Sequence, residues 1–303
     1  MNNIEIINIQ NKNKNSILFK IITIKFFGFV LKLTNHRFFY NICKLICLYD
    51  KALIKIKLGN GFFIFKLNDP YYSQLLSDYY VYEKDIHNFV YKIQNTNFNF
   101  YDLGANYGYW SVYLSNIEKC RYCVAVEPLK ENFYYLELNN KLNHSRFKSF
   151  QRVISNGLNK KIKLFYNPEL PNNVGSTTKK KKENYQITKE ILIKNIIKNN
   201  NYLDIFKLDI EGEEINAVKQ INQLKPKRHI IIYECHGKDK SHKVTKYLMN
   251  KGYNIYSFAF KTKVLVINEI SLLNKIKKKR NRGYNFIATP RNDEYSNRII
   301  NSN

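Results

Sequence analysis

From residue 98 onward, short apolar runs alternate with stretches in which apolar positions recur every three or four residues. That switching of period is the pattern of βαβ units and predicts a parallel sheet flanked by helices. Strands are expected over residues 99–103, 122–127, 149–154, 205–209, 229–233, 253–260 and 285–288. Helices are expected over 110–117, 131–142, 213–220 and 241–250. Residues 161–166 alternate with period two and can pair with a neighbouring strand. Between 167 and 201 the pattern weakens, and Lys179-Lys180-Lys181-Lys182 reads as a solvated loop.

Upstream of residue 98 the pattern is different. Residues 1–15 are polar and expected to fray. A helical pattern runs from 16 to about 48, and another covers 80–93. Between them, apolar runs at 53–58 and 62–67 flank Gly59-Asn60-Gly61, residues that tolerate the positive φ a tight hairpin needs. The apolar stretch 16–33 is interrupted by Lys20, Lys25 and Lys32, so it lacks the run of ~20 apolar residues that a membrane span requires. Two roles remain open for it: a helix packed on the domain, or a basic aromatic helix lying at a membrane surface.

Composition adds bounds. With 303 residues and 44% hydrophobic positions the chain can bury a large core, which excludes wholesale disorder. Its net charge of +26 suggests nucleic acid or an anionic membrane at face value. Lys, Asn, Ile, Tyr and Phe all have A/T-rich codons, however, and a drifting A/T-rich genome would give the same excess whatever the function; most of the charge is read that way. The five cysteines show no disulfide framework. Cys43 and Cys47 stand at i, i+4, and Cys120 and Cys123 form an isolated C-x-x-C running into a strand, so buried free thiols in a reducing cytoplasm are expected and no metal is assigned.

The chemistry concentrates in Phe100-Tyr-Asp-Leu-Gly-Ala-Asn-Tyr-Gly-Tyr-Trp110. A strand ends at Asp102, and a turn carrying Gly104 and Gly108 opens a helix. Gly104 is expected to let backbone approach a ligand, and Gly108 to permit tight helix packing. The next strand ends in Val124-Ala-Val-Glu127-Pro128, with Glu127 placed 19 residues after Gly108, where nucleotide-binding α/β proteins set the carboxylate that accepts ribose hydroxyls. A dinucleotide would want G-x-G-x-x-G around its pyrophosphate. An acid in the turn, with Asn106 beside it, instead suits S-adenosyl-L-methionine, which carries an amine and a sulfonium and no phosphate.

Four blocks in order resemble the FkbM-type S-adenosylmethionine-dependent methyltransferases. They are Asp102-Leu-Gly-Ala-Asn-Tyr-Gly108, Val126-Glu-Pro128 with Asn139 to Asn143 downstream, Lys207-Leu-Asp-Ile-Glu-Gly-Glu-Glu214, and Ile232-Tyr-Glu-Cys-His236. Val153-Ile-Ser-Asn156 before Gly157 is similar to the family's adenine-side loop. The resemblance covers roughly residues 80–290; Cys235 departs from a position usually aliphatic, and the first 80 residues match only loosely. It implies a Rossmann-like, seven-stranded, mostly parallel sheet with a reversed final hairpin and helices on both faces, the class I methyltransferase architecture. The division expected is an N-terminal helical and hairpin extension over 1–79 and a methyltransferase domain over 80–303.

The donor site expected from these blocks comprises Asp102, Gly104, Ala105, Asn106, Gly108, Glu127, Pro128 and Ser155. Methyl transfer to a hydroxyl needs in-line geometry and a destination for the proton. Asp209 and Glu211, at the carboxyl end of a strand, and His236, at the end of the next, are the candidates. Glu213 and Glu214 read as first-turn acids complementing a helix dipole. The resemblance implies an acceptor hydroxyl on a sugar, glycan or secondary metabolite. An RNA methyltransferase and a non-catalytic module retaining the fold are the alternatives; no RNA-binding module flanks the blocks, and nucleic acid is not expected as a partner. The turn after strand four is Leu-Asp-Ile-Glu-Gly rather than the Asn/Asp-Pro-Pro-aromatic turn of amino-group methylation, and no Pro-Cys nucleophile, phosphate loop or H-E-x-x-H helix occurs.

Overall fold

The computed structural model describes residues 4–8, 14–30, 36–156, 161–167, 184–260, 263–280 and 282–301. The first elements are β1 (Glu5–Asn8), helices α1 (Lys14–Val30) and α2 (His36–Cys47), the hairpin β2 (Leu53–Leu58) and β3 (Gly61–Lys66), and α3 (Lys84–Ile93). Then come β4 (Phe98–Leu103), α4 (Tyr109–Ser115), β5 (Cys120–Val126), α5 (Lys130–Leu142), β6 (Lys148–Phe150), β7 (Val153–Ile154), β8 (Lys161–Tyr166), β9 (Asn184–Ile191) and β10 (Leu203–Leu208). The chain closes with α6 (Glu214–Leu224), β11 (His229–Glu234), α7 (Lys243–Asn250), β12 (Tyr253–Phe260), β13 (Lys263–Val266), α8 (Ile270–Ile276), β14 (Asn285–Pro290) and α9 (Glu294–Asn301).

The central sheet has eight strands in the order β13-β12-β14-β11-β10-β4-β5-β6. β4 pairs in parallel with both β5 and β10, and β10 with β11, whereas β14 runs antiparallel to β11 and β12. This is the mostly parallel sheet expected, reversed strand included; β13 adds an eighth strand at the edge beyond β12. Every residue of β4 and β10 is buried, because strands covered by helices on both faces need apolar side chains on both. Phe98 and Phe100 point into one core, Tyr101 and Leu103 into the other. The strand ends and helix starts converge at the carboxyl edge of β4, β5, β10 and β11, where open α/β sheets bind ligands.

Four expectations change. Glu5–Asn8, expected to fray, pairs antiparallel with β2. The helical stretch 16–48 is two helices; residues 31–35, including Lys32 and Leu33, lie outside the described residues. The strand expected over 149–154 divides, because the Arg152 amide turns back to the Phe150 carbonyl at 2.9 Å, and β6 stays in the central sheet while β7 joins β9 and β8 in a separate one. β9 falls where the pattern weakened: only Thr188 in it is buried, so no apolar alternation marks it. The Lys179–Lys182 run and Gly157 lie outside the described residues.

The hairpin is joined to the sheet through side chains of α5. Asn139 and Asn143 stand one helical turn apart and meet alternate residues of β3. Asn139 Oδ1 accepts the Ile64 amide at 2.6 Å and its Nδ2 donates to the Ile64 carbonyl at 2.9 Å. Asn143 does the same for Phe62, at 2.9 and 2.7 Å. The match is geometric: four helical residues rise ~6 Å and two strand residues ~6.7 Å. One core runs through the N-terminal elements and the sheet, from Ile17 and Ile54 to Ile232 and Ile300.

Candidate functional site

An open cavity lies at that carboxyl edge. The turn after β4 forms one wall, with Gly104, Ala105 and Asn106; Val126, Glu127 and Pro128 after β5 form the next. Val153, Ile154 and Leu164 supply an apolar side, and Lys207, Asp209 and Glu211 the side made by β10. Tyr72, Tyr82, Tyr109 and Trp110 close it with aromatic rings.

Glu127 organises the first two walls. Its Oε2 accepts the Asn106 amide at 2.9 Å, and its Oε1 accepts the Leu129 amide at 2.9 Å. Burial pushes its carboxyl up to about 7, against those amides, which favour the ionised form. Asn106 holds φ +52°, a conformation in which Asn is the most tolerant side-chain-bearing residue, and its Oδ1 is buried without a hydrogen-bond partner. Asp102 is buried behind this turn. Its Oδ2 accepts the Ser111 hydroxyl at 2.7 Å, while its Oδ1 is buried with no hydrogen bond and lies 4.0 Å from Lys207 Nζ. Burial raises the Asp102 carboxyl and the Lys207 ammonium counters it.

Gly104 lines the cavity, as expected of a donor-site residue. At φ +85° a Cβ there would stand 1.8 Å from the Asp209 carbonyl oxygen, so its bareness also lets the turns after β4 and β10 close up at the cavity floor. Gly108 lies outside the lining and makes room for Leu136 of α5, whose Cδ1 a Cβ would meet at 2.5 Å. Ser155 is also outside the lining; its carbonyl accepts Gln220 Nε2 at 2.5 Å, and its neighbours Val153 and Ile154 reach the cavity instead.

On the β10 side, carboxyls crowd one buried ammonium. Lys207 Nζ lies 3.4 Å from Asp209 Oδ2. Burial would lower this ammonium, but Asp209, Glu83 and Asp102 outweigh it and hold it well above the usual lysine range. Glu83, in the loop before α3, accepts Trp110 Nε1 at 2.5 Å and is pushed up to about 7, chiefly by burial and also by Asp209. Glu234, the last residue of β11, is driven far above the carboxylate range by burial, then by Asp209 and Glu83. Glu211 sits at φ +48° before Gly212, and this turn is pinned by Glu214, whose carboxylate accepts the Ile210 and Gly212 amides. Glu214 thus ties down the loop from the first turn of α6.

His236 Nε2 stands 3.6 Å from Glu211 and from Glu234. Its bond to Glu211 lifts it above the ordinary histidine value, against its burial. Among the described residues these three are a group whose donor atoms, all within 4.8 Å, could hold a metal ion. Asp209 and Glu211 line the cavity and His236 stands behind Glu211. All five cysteines are free, and four are buried.

Sequence reasoning missed Tyr72, Tyr82, Glu83, Arg152 and Glu234 as site residues. Lys207 carried a readable signal: a lysine inside the strand Leu203–Leu208, buried along its whole length, must face a buried countercharge. Tyr72 and Tyr82 carried none, since their loop reaches the cavity only through tertiary packing.

Comparison with known proteins gives one family and a set of structures. The Methyltransferase FkbM domain matches residues 102–255. No curated protein matches the chain. Among solved structures it is similar to a precorrin-6y C5,15-methyltransferase from Geobacter metallireducens GS-15, at 11% identity over 67% of this chain and 84% of that one, with a TM-score of 0.41. It is also similar to a methyltransferase FkbM from Methylobacillus flagellatus KT (15%, 63% and 43%, TM-score 0.38). A third is a SAM-dependent O-methyltransferase from Thermotoga maritima (12%, 70% and 66%, TM-score 0.37).

Proposed function

Because the chain belongs to the FkbM methyltransferase family, we propose that it is an S-adenosyl-L-methionine-dependent O-methyltransferase acting on a sugar, glycan or secondary-metabolite hydroxyl, in the cytoplasm or at its membrane periphery. The observation that carries the reading is Asn106 Oδ1, a buried acceptor without a hydrogen bond on the turn that walls the cavity, with Asp102 Oδ1 behind it facing only the Lys207 ammonium at 4.0 Å. Buried polar atoms are rarely left unpaired, and acceptors ask for a donor-rich ligand. The donor's ammonium and ribose hydroxyls offer such groups, whereas a pyrophosphate offers none.

When bound, S-adenosyl-L-methionine supplies an electrophilic methyl group on a sulfonium. Glu127 is the residue to accept ribose hydroxyls, Val153 and Ile154 give an apolar bed for the adenine, and Ala105 and Asn106 complete the donor wall. Asp209 takes the acceptor proton at a carboxylate oxygen, and Lys207 balances its charge. His236, held by Glu211, is the next station for that proton. The acids Asp209 and Glu211 on the cavity wall would repel a phosphate backbone, which favours a neutral acceptor over RNA.

Titration calorimetry tests the donor half. Asp102→Asn and Glu127→Ala should each weaken S-adenosyl-L-methionine binding about ten- to hundredfold, the loss of one charge-assisted hydrogen bond. Unchanged affinity in both would remove the cofactor assignment.

A further inference from the structure

After its polar first turn, α1 is apolar on two opposite faces. Ile17, Ile21, Ile24 and Gly28 are buried on the protein, and Gly28 is packed so closely that a Cβ would lie 1.9 Å from Ser77 Oγ. The opposite face holds Leu18, Phe19, Ile22, Phe26, Phe29 and Val30, each 40–69% exposed. A helix on a water-soluble surface shows polar residues outward, and this one does not. α2 adds Phe38 and Leu45, 55% and 78% exposed, among the exposed polar residues Arg37, Asn41 and Lys44.

The charge around these faces has one sign. α1 and α2 carry Lys14, Lys20, Lys25, Arg37 and Lys44, and no Asp or Glu. At about 100° per residue, Lys14 and Lys25 fall on one border of the exposed apolar face of α1, whereas Lys20 lies toward the packed side and pairs with the buried Asp50. Lys14 and Lys25 can extend their ammonium groups to lipid phosphates while the apolar face enters the interface. A second copy would instead bring like charges together. No helix among the described residues is long and apolar enough to cross a membrane, so α1 would lie along the surface.

The same face leads to the cavity. The Phe29 ring packs on Tyr79 at 5.6 Å and Tyr40 on Tyr71 at 5.0 Å. Tyr71 is close enough to Glu234, Glu211 and Asp209 to feel their charges, and its neighbour Tyr72 lines the cavity. We propose that α1 and α2 seat this protein on an anionic bilayer and that its acceptor is a hydroxyl carried by a lipid of that bilayer, delivered along the aromatic path of Tyr79, Tyr71 and Tyr72. The acceptor half rests on the methyltransferase reading.

Co-sedimentation reads the docking without turnover. The full chain should pellet with phosphatidylserine-containing vesicles, less with phosphatidylcholine alone, and less at high salt. The Ile22→Asp, Phe26→Asp double variant should lower partitioning at least ~10-fold while keeping its melting temperature and donor affinity, since both positions are exposed. Equal pelleting of the variant, no pelleting of the wild type, or a wild-type dimer that the variant dissolves would each overturn the docking. Labelled methyl from S-adenosyl-L-methionine should enter the organic phase of vesicles made with the source cell's polar lipid extract; label confined to water-soluble glycan would overturn the lipid acceptor. Loss of donor binding in the wild type would sink the methyltransferase reading alone.

Discussion

At the scale of single residues, the proton's destination separates chemistry from binding. Asp209 lines the cavity beside Lys207, whereas His236 stands a layer back, 3.6 Å from Glu211. If Asp209 takes the acceptor proton, Asp209→Ala should cut turnover by ~10²–10⁴ and largely spare donor affinity. Near wild-type turnover at saturating acceptor would move the base to His236. Both positions were readable from sequence, because Asp209 and His236 each follow a strand of the parallel sheet and so fall at its ligand edge. Glu83 and Glu234 were not, though burial and Asp209 raise both. Glu83 belongs to a loop whose position no local pattern records.

At the scale of elements, the clasp between α5 and β3 is the joint on which the N-terminal hairpin depends. Asn139 serves both polar groups of Ile64 and also donates to the Tyr107 carbonyl at 2.9 Å. Asn139→Ala leaves three buried groups unpaired, so we expect a loss of ~2–4 kcal/mol, read as a lower urea midpoint. A loss below ~0.5 kcal/mol would mean that water takes over the pairing. The hairpin itself was legible from Gly59-Asn60-Gly61, and the central strands from their short apolar runs alternating with helical patterns. The clasp was not: helical polar residues read as solvent-facing until a strand edge is set against them. β7 and β9 escaped for a related reason, one being two residues long and the other burying only Thr188.

At the scale of the whole molecule, buried carboxyls set a pH dependence. Burial pushes Asp69, Glu83, Glu127 and Glu214 up to about 7, and Asp204 up to about 6. Between the unfolded carboxyl value of ~4 and those values the folded chain holds protons that the unfolded chain has released, so stability falls as pH rises through this window. His87 and His229 act in the opposite sense: burial lowers each to about 4, and below ~6.5 the unfolded chain takes up protons they refuse. These carboxyls, joined by Asp85, Asp102 and Glu234, outweigh His87, His229 and His242, the last also lowered by burial. Without donor, the urea midpoint should be higher at about pH 5.5 than at about pH 7.5, and the reverse order would contradict these burials. The continuous core has a consequence for how the chain is made. Ile17 and Ile300 belong to one cluster, so the first helix to leave the ribosome waits for nearly the whole chain before its core is complete. At ~5–20 residues per second that wait is roughly 15–60 s, during which α1 presents both of its apolar faces to chaperones or to a nearby membrane.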